Sequence, residues 1–78
     1  MTNIEKYNKV FIESFAITES DLKSLEYQSI EQWDSVGHMS LIAGLEDEFE
    51  IMMDTDDIID FSSYVKGKKI LAKYDLEF

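Results

Sequence analysis

Near the start of the chain, apolar residues recur at three- and four-residue steps: Ile4, Tyr7, Val10, Phe11 and Phe15. That period puts them on one face of an amphipathic helix of about three turns. From Thr18 to Asp34 the period is lost, and Leu22, Leu25, Tyr27, Ile30 and Trp33 stand scattered among Ser, Asp, Glu and Gln. This stretch reads as a long ordered loop pinned by those side chains, and such a loop in a compact domain tends to be functional. The helical period returns from Val36 to Ile51. There His38, Leu41, Ile42, Leu45 and Phe49 project within roughly 50° of one direction, a core-facing stripe. Asp34 and Ser35 mark the start of this helix, since either side-chain oxygen can accept an orphan backbone N–H. Asp54-Thr55-Asp56-Asp57-Ile58-Ile59 then predicts a short capped turn of helix. Ser62 or Ser63 caps a last helix in which Tyr64, Gly67, Leu71 and Tyr74 share a face. Period-two alternation is absent, so the pattern predicts an all-α bundle of three main helices plus one short helix, with a long ordered loop between the first and second helices.

Composition narrows the class. The chain has 78 residues with no repeat and no Gly-, Pro- or Ser-rich linker, which predicts a single domain over residues 1–78. At this size buried area only just offsets conformational entropy, and a deep self-contained enzyme pocket is not expected. Cysteine is absent, which excludes a disulfide scaffold, a Cys-ligated zinc site and a thiol nucleophile, and leaves apolar packing to hold the domain. The segment MTNIEKYNKV has no apolar run long enough for a signal peptide or a membrane span, so a soluble, cytoplasmic monomer is expected. Seventeen acidic residues against seven lysines give a net charge of −10. Such a body repels nucleic-acid phosphates and anionic lipid and attracts proteins with Lys/Arg patches. Ten acids and no lysine lie between Glu31 and Asp60, whereas Lys66, Lys68, Lys69 and Lys73 gather in the last helix.

The chain lacks reactive equipment of its own and reads as a non-enzyme. Its one histidine, His38, has no Cys partner, and HExxH, GxGxxG and GxxxxGK[ST] are all missing. Asp54-x-Asp56 hints at a calcium loop, but Ile58, Ile59 and Val65 stand where a ligand, a Gly and a Glu are needed, so no metal site is assigned. Chemistry brought in on a covalent prosthetic group needs only an exposed nucleophile at a rigid spot. Ser35 opens the strongest helix directly after a loop, where a phosphate ester would meet unpaired N–H groups and the positive end of the helix dipole. From position alone, a plain N-cap serine is the preferred reading.

The run Trp33-Asp34-Ser35-Val36-Gly37-His38-Met39-Ser40-Leu41, continuing through Leu45-Glu46-Asp47-Glu48-Phe49, resembles the prosthetic-group motif of acyl carrier proteins. In that family an Asp-Ser-Leu core precedes a helix ending in an acidic Leu-Glu-Glu-Glu-Phe signature. The resemblance extends over essentially the whole chain in length and element order. It implies that Ser35 carries 4'-phosphopantetheine, transferred from coenzyme A by a phosphopantetheinyl transferase, and that the arm's thiol supplies the nucleophile a Cys-free chain lacks. Asp34 then caps the helix and marks the site for the transferase. Gly37-His38-x-Ser40-Leu41 also echoes the Gly-His-Ser-Leu of peptidyl carrier domains, which would move the attachment to Ser40. That serine stands inside the helix, without a capping role and only nine residues before Phe49, so Ser35 is preferred.

Val36, Met39 and Ala43 share a second face of the helix and, followed by Glu46, Asp47 and Glu48, make an apolar centre with an acidic rim suited to docking acyl-loading and acyl-transfer enzymes with basic patches. His38 falls on the core side and reads as a packed, hydrogen-bonded histidine; Trp33 reads as the anchor of the loop. General fatty-acid carriers have acids two and five residues after the serine, where this chain has Gly37 and Ser40, which points to a specialised pathway. Gly37 and Gly44 are expected to leave a low strip that a partner approaches closely. The competing reading is an unmodified acidic helical adaptor that binds a basic protein.

Overall fold

The computed structural model describes residues 1–78 and contains four α-helices: α1 (Asn3–Phe15), α2 (Ser35–Phe49), α3 (Thr55–Asp60) and α4 (Tyr64–Leu71). Short 3-10 turns occupy Glu19–Asp21 and Ala72–Tyr74. No strand forms, and the only paired extended residues are Glu26 and Ser63 in an isolated bridge. The chain is therefore all-α, and no helix is long and apolar enough to cross a membrane.

Local chemistry sets the helix ends. Thr2 accepts the Glu5 N–H, and the Glu5 carboxylate returns to the Thr2 N–H at 2.9 Å, a reciprocal cap that starts α1. Those bonds hold the Glu5 carboxyl below the usual range. Glu50 turns left-handed at φ 55° and stops α2 at Phe49, two residues before the expected Ile51. The last helix is also shorter than its apolar spacing predicts. It ends at Leu71, and the chain tightens through Ala72–Tyr74 until Asp75 turns left-handed at φ 64°. Tyr74 still packs on the core, half-buried.

α1 and α2 make the principal helix pair. Tyr7, Phe11 and Phe15 of α1 meet Leu41, Ile42 and Leu45 of α2, and Phe61, Tyr64 and Leu71 close the third side. Phe11 sits edge-on to Tyr7, Trp33 and Tyr64 at centroid distances of 4.9, 5.6 and 5.4 Å. Such pairs each contribute about 0.5–1.5 kcal/mol beyond area burial. Gly67 lets α4 approach this cluster: a Cβ there would lie 2.2 Å from both Phe61 Cζ and the Tyr7 hydroxyl. The Tyr7 hydroxyl donates to the Tyr64 carbonyl at 2.6 Å, and burial pushes its pKa far above the ordinary tyrosine value.

The long loop is pinned by buried side chains along its length and by backbone bonds at its middle. Leu22, Leu25 and Trp33 are buried in the core. The Tyr27 N–H donates to the Ser62 carbonyl at 2.8 Å and the Tyr64 N–H to the Leu25 carbonyl at 3.0 Å, which ties the loop to the start of α4.

Candidate functional site

The first turn of α2 is fixed from below. Asp34 Oδ1 accepts the Gly37 N–H at 2.8 Å, and the Asp34 carbonyl takes the His38 N–H at 2.8 Å. This cap leaves the Ser35 and Val36 N–H groups without an intramolecular acceptor, facing out beyond the helix start. Ser35, the first residue of α2, is exposed. Before it, Trp33 is wholly buried, stacked on Phe15 at 5.4 Å, and Gln32 Nε2 donates to the Phe15 carbonyl at 3.2 Å, closing the C-terminal end of α1.

His38 is half-buried and bonded through both ring nitrogens. Nδ1 accepts the Trp33 indole N–H at 2.9 Å, which leaves Nε2 as the protonated nitrogen facing the Ile58 carbonyl at 2.8 Å. It is thus a bridge between loop, α2 and α3, with no nitrogen free for a metal or a proton-transfer role.

A groove of about 400 Å³ opens beside Ser35. Tyr27, His38, Met39, Ile58, Ile59 and Phe61 give it a mainly apolar lining, and Ser35 stands among them. A wider depression of about 1040 Å³ lies by the C-terminal residues, between Ile4, Lys68, Lys69 and Phe78. Its polar groups are Lys68, Lys69, Asp75 and Glu77, with no hydroxyl or imidazole, and the smaller groove is the one beside Ser35.

Of the residues expected on a docking face, Val36 (74% exposed), Met39 (56%), Ala43 and Asp47 do open to solvent on one side of α2. Glu46 and Glu48 are drawn away from it. Glu46 Oε2 accepts the Met53 N–H at 2.9 Å, fixing the segment between α2 and α3, and Glu48 lies 3.4 Å from Lys9 of α1. Met52 and Ile59, which the sequence pattern did not single out, are 87% and 72% exposed on the connecting segment and α3. The expected low strip of small residues is absent. A Cβ on Gly37 would lie 1.9 Å from the Gln32 carbonyl oxygen, and one on Gly44 3.0 Å from Val10 Cγ1, so both glycines face inward against chain already in place.

Asp57 is the one buried acid. Lys73 Nζ and the Tyr74 hydroxyl each donate to it at 2.5 Å, and these two bonds hold its carboxyl below the usual range. No group of three His, Cys, Asp or Glu side chains is arranged to hold a metal ion. No family model, curated protein or solved structure matches the chain.

Proposed function

We propose that this chain is an acyl carrier protein of a specialised biosynthetic pathway, modified at Ser35 with 4'-phosphopantetheine from coenzyme A. The observation that carries the reading is the setting of Ser35: an exposed hydroxyl on the first residue of a 15-residue helix, after an Asp34 cap, at an apolar groove. The residues fit the group. Ser35 Oγ makes no intramolecular hydrogen bond, the Ser35 and Val36 N–H groups are free to face a phosphodiester, and the helix dipole favours an anion there by about 0.3–1 kcal/mol.

In the transfer, Ser35 Oγ attacks the β-phosphorus of coenzyme A in the transferase. The Oγ–P bond forms as the pyrophosphate P–O bond breaks, 3',5'-ADP leaves, and the hydroxyl proton passes to a base of that enzyme. This chain contributes position, through the Asp34 cap and the buried Trp33. When bound, the arm supplies a terminal thiol on which acyl groups are held as thioesters. Val36, Met39, Ala43 and Asp47 form the face on which enzymes with basic patches dock, where long-range attraction speeds encounter and a small interface permits release.

Intact mass after incubation with coenzyme A and a phosphopantetheinyl transferase tests this reading. The wild type gains one phosphopantetheine, Ser35→Ala gains none while keeping its helical circular dichroism, and Ser40→Ala is modified like wild type. Modification of Ser35→Ala, or its loss in Ser40→Ala, refutes the assignment. The same exposed face needs no prosthetic group to bind a basic protein, so a wild type that is never modified favours the adaptor reading. For the pathway, Ser40→Glu restores one acid on the open side of α2 and should improve malonyl loading by a fatty-acid acyltransferase at low salt; a wild type already loaded like a general carrier removes the specialised assignment.

A further inference from the structure

One wall of the groove beside Ser35 is α3, the helix with the least support in the fold. It has six residues, about 9 Å of helix at 1.5 Å per residue, with non-helical segments on both sides and no extensive packing along another helix. A helix this short does not hold itself in water. Apolar anchors hold it, with Met53 and Phe61 buried on either side and Ile58 against the core; the Asp54 N–H donates to the Tyr74 hydroxyl at 2.9 Å, and two further polar contacts come from successive residues. The Ile58 carbonyl accepts from His38 Nε2 on the α2 side, and the Asp57 carboxylate accepts from Lys73 and Tyr74 on the C-terminal side. His38 is itself held, because its Nδ1 takes the indole N–H of the fully buried Trp33 and its ring lies among Trp33, Tyr27 and Phe61 at centroid distances of 6.2, 5.5 and 6.3 Å.

The geometry points to His38 as a positioning residue that keeps α3 closed as the wall of the groove beside Ser35, so that loss of its bond to Ile58 opens the groove. A histidine serving only to fill space needs neither a donor nor an acceptor; this one uses both, towards two different segments of the chain. The use of such a hinged wall rests on the carrier reading, in which it covers or releases what the arm brings to the groove. The hinge itself belongs to the unmodified chain.

The test is amide hydrogen exchange by NMR on the unmodified protein, with neutral 1-N-phenylnaphthylamine as the groove probe. His38→Leu also leaves the Trp33 indole N–H without its acceptor, so the α3 amides should exchange about tenfold faster beyond any rise shared by α1 and α2, the tenfold being what loss of the one hydrogen bond to Ile58 gives. The dye should bind at least about threefold more weakly, since Ile58 and Ile59 no longer face Tyr27 and Met39. His38→Gln, which carries a donor and an acceptor on one amide, should restore slow exchange and dye affinity. If His38→Leu does not fold, His38→Asn replaces it, its side chain ending short of the Ile58 carbonyl, with the same expected results. Unchanged α3 exchange, faster exchange spread evenly over all helices, unchanged or tighter dye binding, or a Gln variant as fast as Leu overturns the proposal. Because no prosthetic group is present, a negative result here beside normal modification at Ser35 removes the hinge alone.

Discussion

Replacing Gly37 by alanine should destabilise the protein, although a Gly→Ala change inside a helix normally gains about 1 kcal/mol. Gly37 has no left-handed φ that would demand glycine. Its constraint is external: the added Cβ would stand 1.9 Å from the Gln32 carbonyl oxygen and 3.0 Å from the carbonyl carbon. Reaching an ordinary contact of 3.4 Å requires α2 and the loop to part by about 1.5 Å. Backbone cannot rotate aside as a side-chain end does, and Gln32 is tethered to Phe15 with the fully buried Trp33 directly after it. Overpacking of this kind costs about 1–3 kcal/mol, and misaligning the Trp33–His38 bond adds about 0.5–1.5 kcal/mol. After the propensity gain, a net loss of about 0.5–3.5 kcal/mol remains, which in a domain of this size lowers Tm by roughly 2–28 °C. Gly44→Ala is the control. Its Cβ meets a side-chain carbon, Val10 Cγ1, at 3.0 Å, and the propensity gain should leave stability within about 1 kcal/mol of wild type. Urea unfolding of the three proteins by far-UV circular dichroism measures both differences. A Gly37→Ala variant as stable as wild type, or a Gly44→Ala variant that loses more, would mean that the loop does not close on α2 as described. Steric closure also makes Gly37→Asp unsuitable for adding charge near Ser35; Ser40→Glu does so on the open face.

Three further outcomes follow from the charges and buried phenols. The Asp57 carboxyl is depressed by its bonds to Lys73 and Tyr74, so its contribution is present above the unfolded value near 3.9 and is lost as pH falls through the lower folded value; Asp57→Asn should flatten that acid limb in a pH series of urea midpoints. The Tyr7 hydroxyl is raised far above an unfolded value near 10, so its contribution is complete below pH ~10 and is lost at higher pH; phenolate absorbance of Tyr7, obtained by subtracting Tyr7→Phe, should appear only with unfolding. The ten acids between Glu31 and Asp60 repel one another over a distance that salt screens at about 8 Å, so Tm should rise with moderate NaCl and further with millimolar Mg²⁺; a flat response to both refutes self-repulsion.

The sequence made the helices legible where one face had to be apolar. The steps from Ile4 to Phe15 and from His38 to Phe49 return as the facing sides of α1 and α2, and Asp34 caps α2 as its residue type and place predict. Helix ends were less legible because they depend on single residues turning left-handed: Glu50 and Asp75 carry no glycine signal. The site was readable as a set of residues but not as a set of directions. Glu46 and Asp47 are neighbours of like charge, yet one accepts the Met53 N–H and the other faces solvent. Asp57 sits among Asp54, Asp56 and Asp60 with nothing local to distinguish it, because its partners lie 16 and 17 residues further on. Gly37 and Gly44 looked like open ground because a sequence shows the missing side chain and not the backbone or side chain that fills the space.

The two sides of the groove are built by different means, and this separates the duties of the residues around it. Ser35 belongs to α2, whose start is held by the Asp34 cap, by Gln32 on the end of α1, by Trp33 in the core and by the close packing of Gly37. None of those supports passes through α3. The opposite wall is six residues of helix that rest on the core through Ile58 and take polar contacts from α2 and from the C-terminal turn, and its outward residue Ile59 is 72% exposed. The position of Ser35 is therefore set independently of α3, although Ser35 and Met39 share the groove with Ile58 and Ile59. Anything lying in the groove meets a wall whose position depends on His38, Asp57, Lys73 and Tyr74. Under the proposed carrier reading, attachment at Ser35 and the contents of the groove would therefore respond to different residues of one small domain.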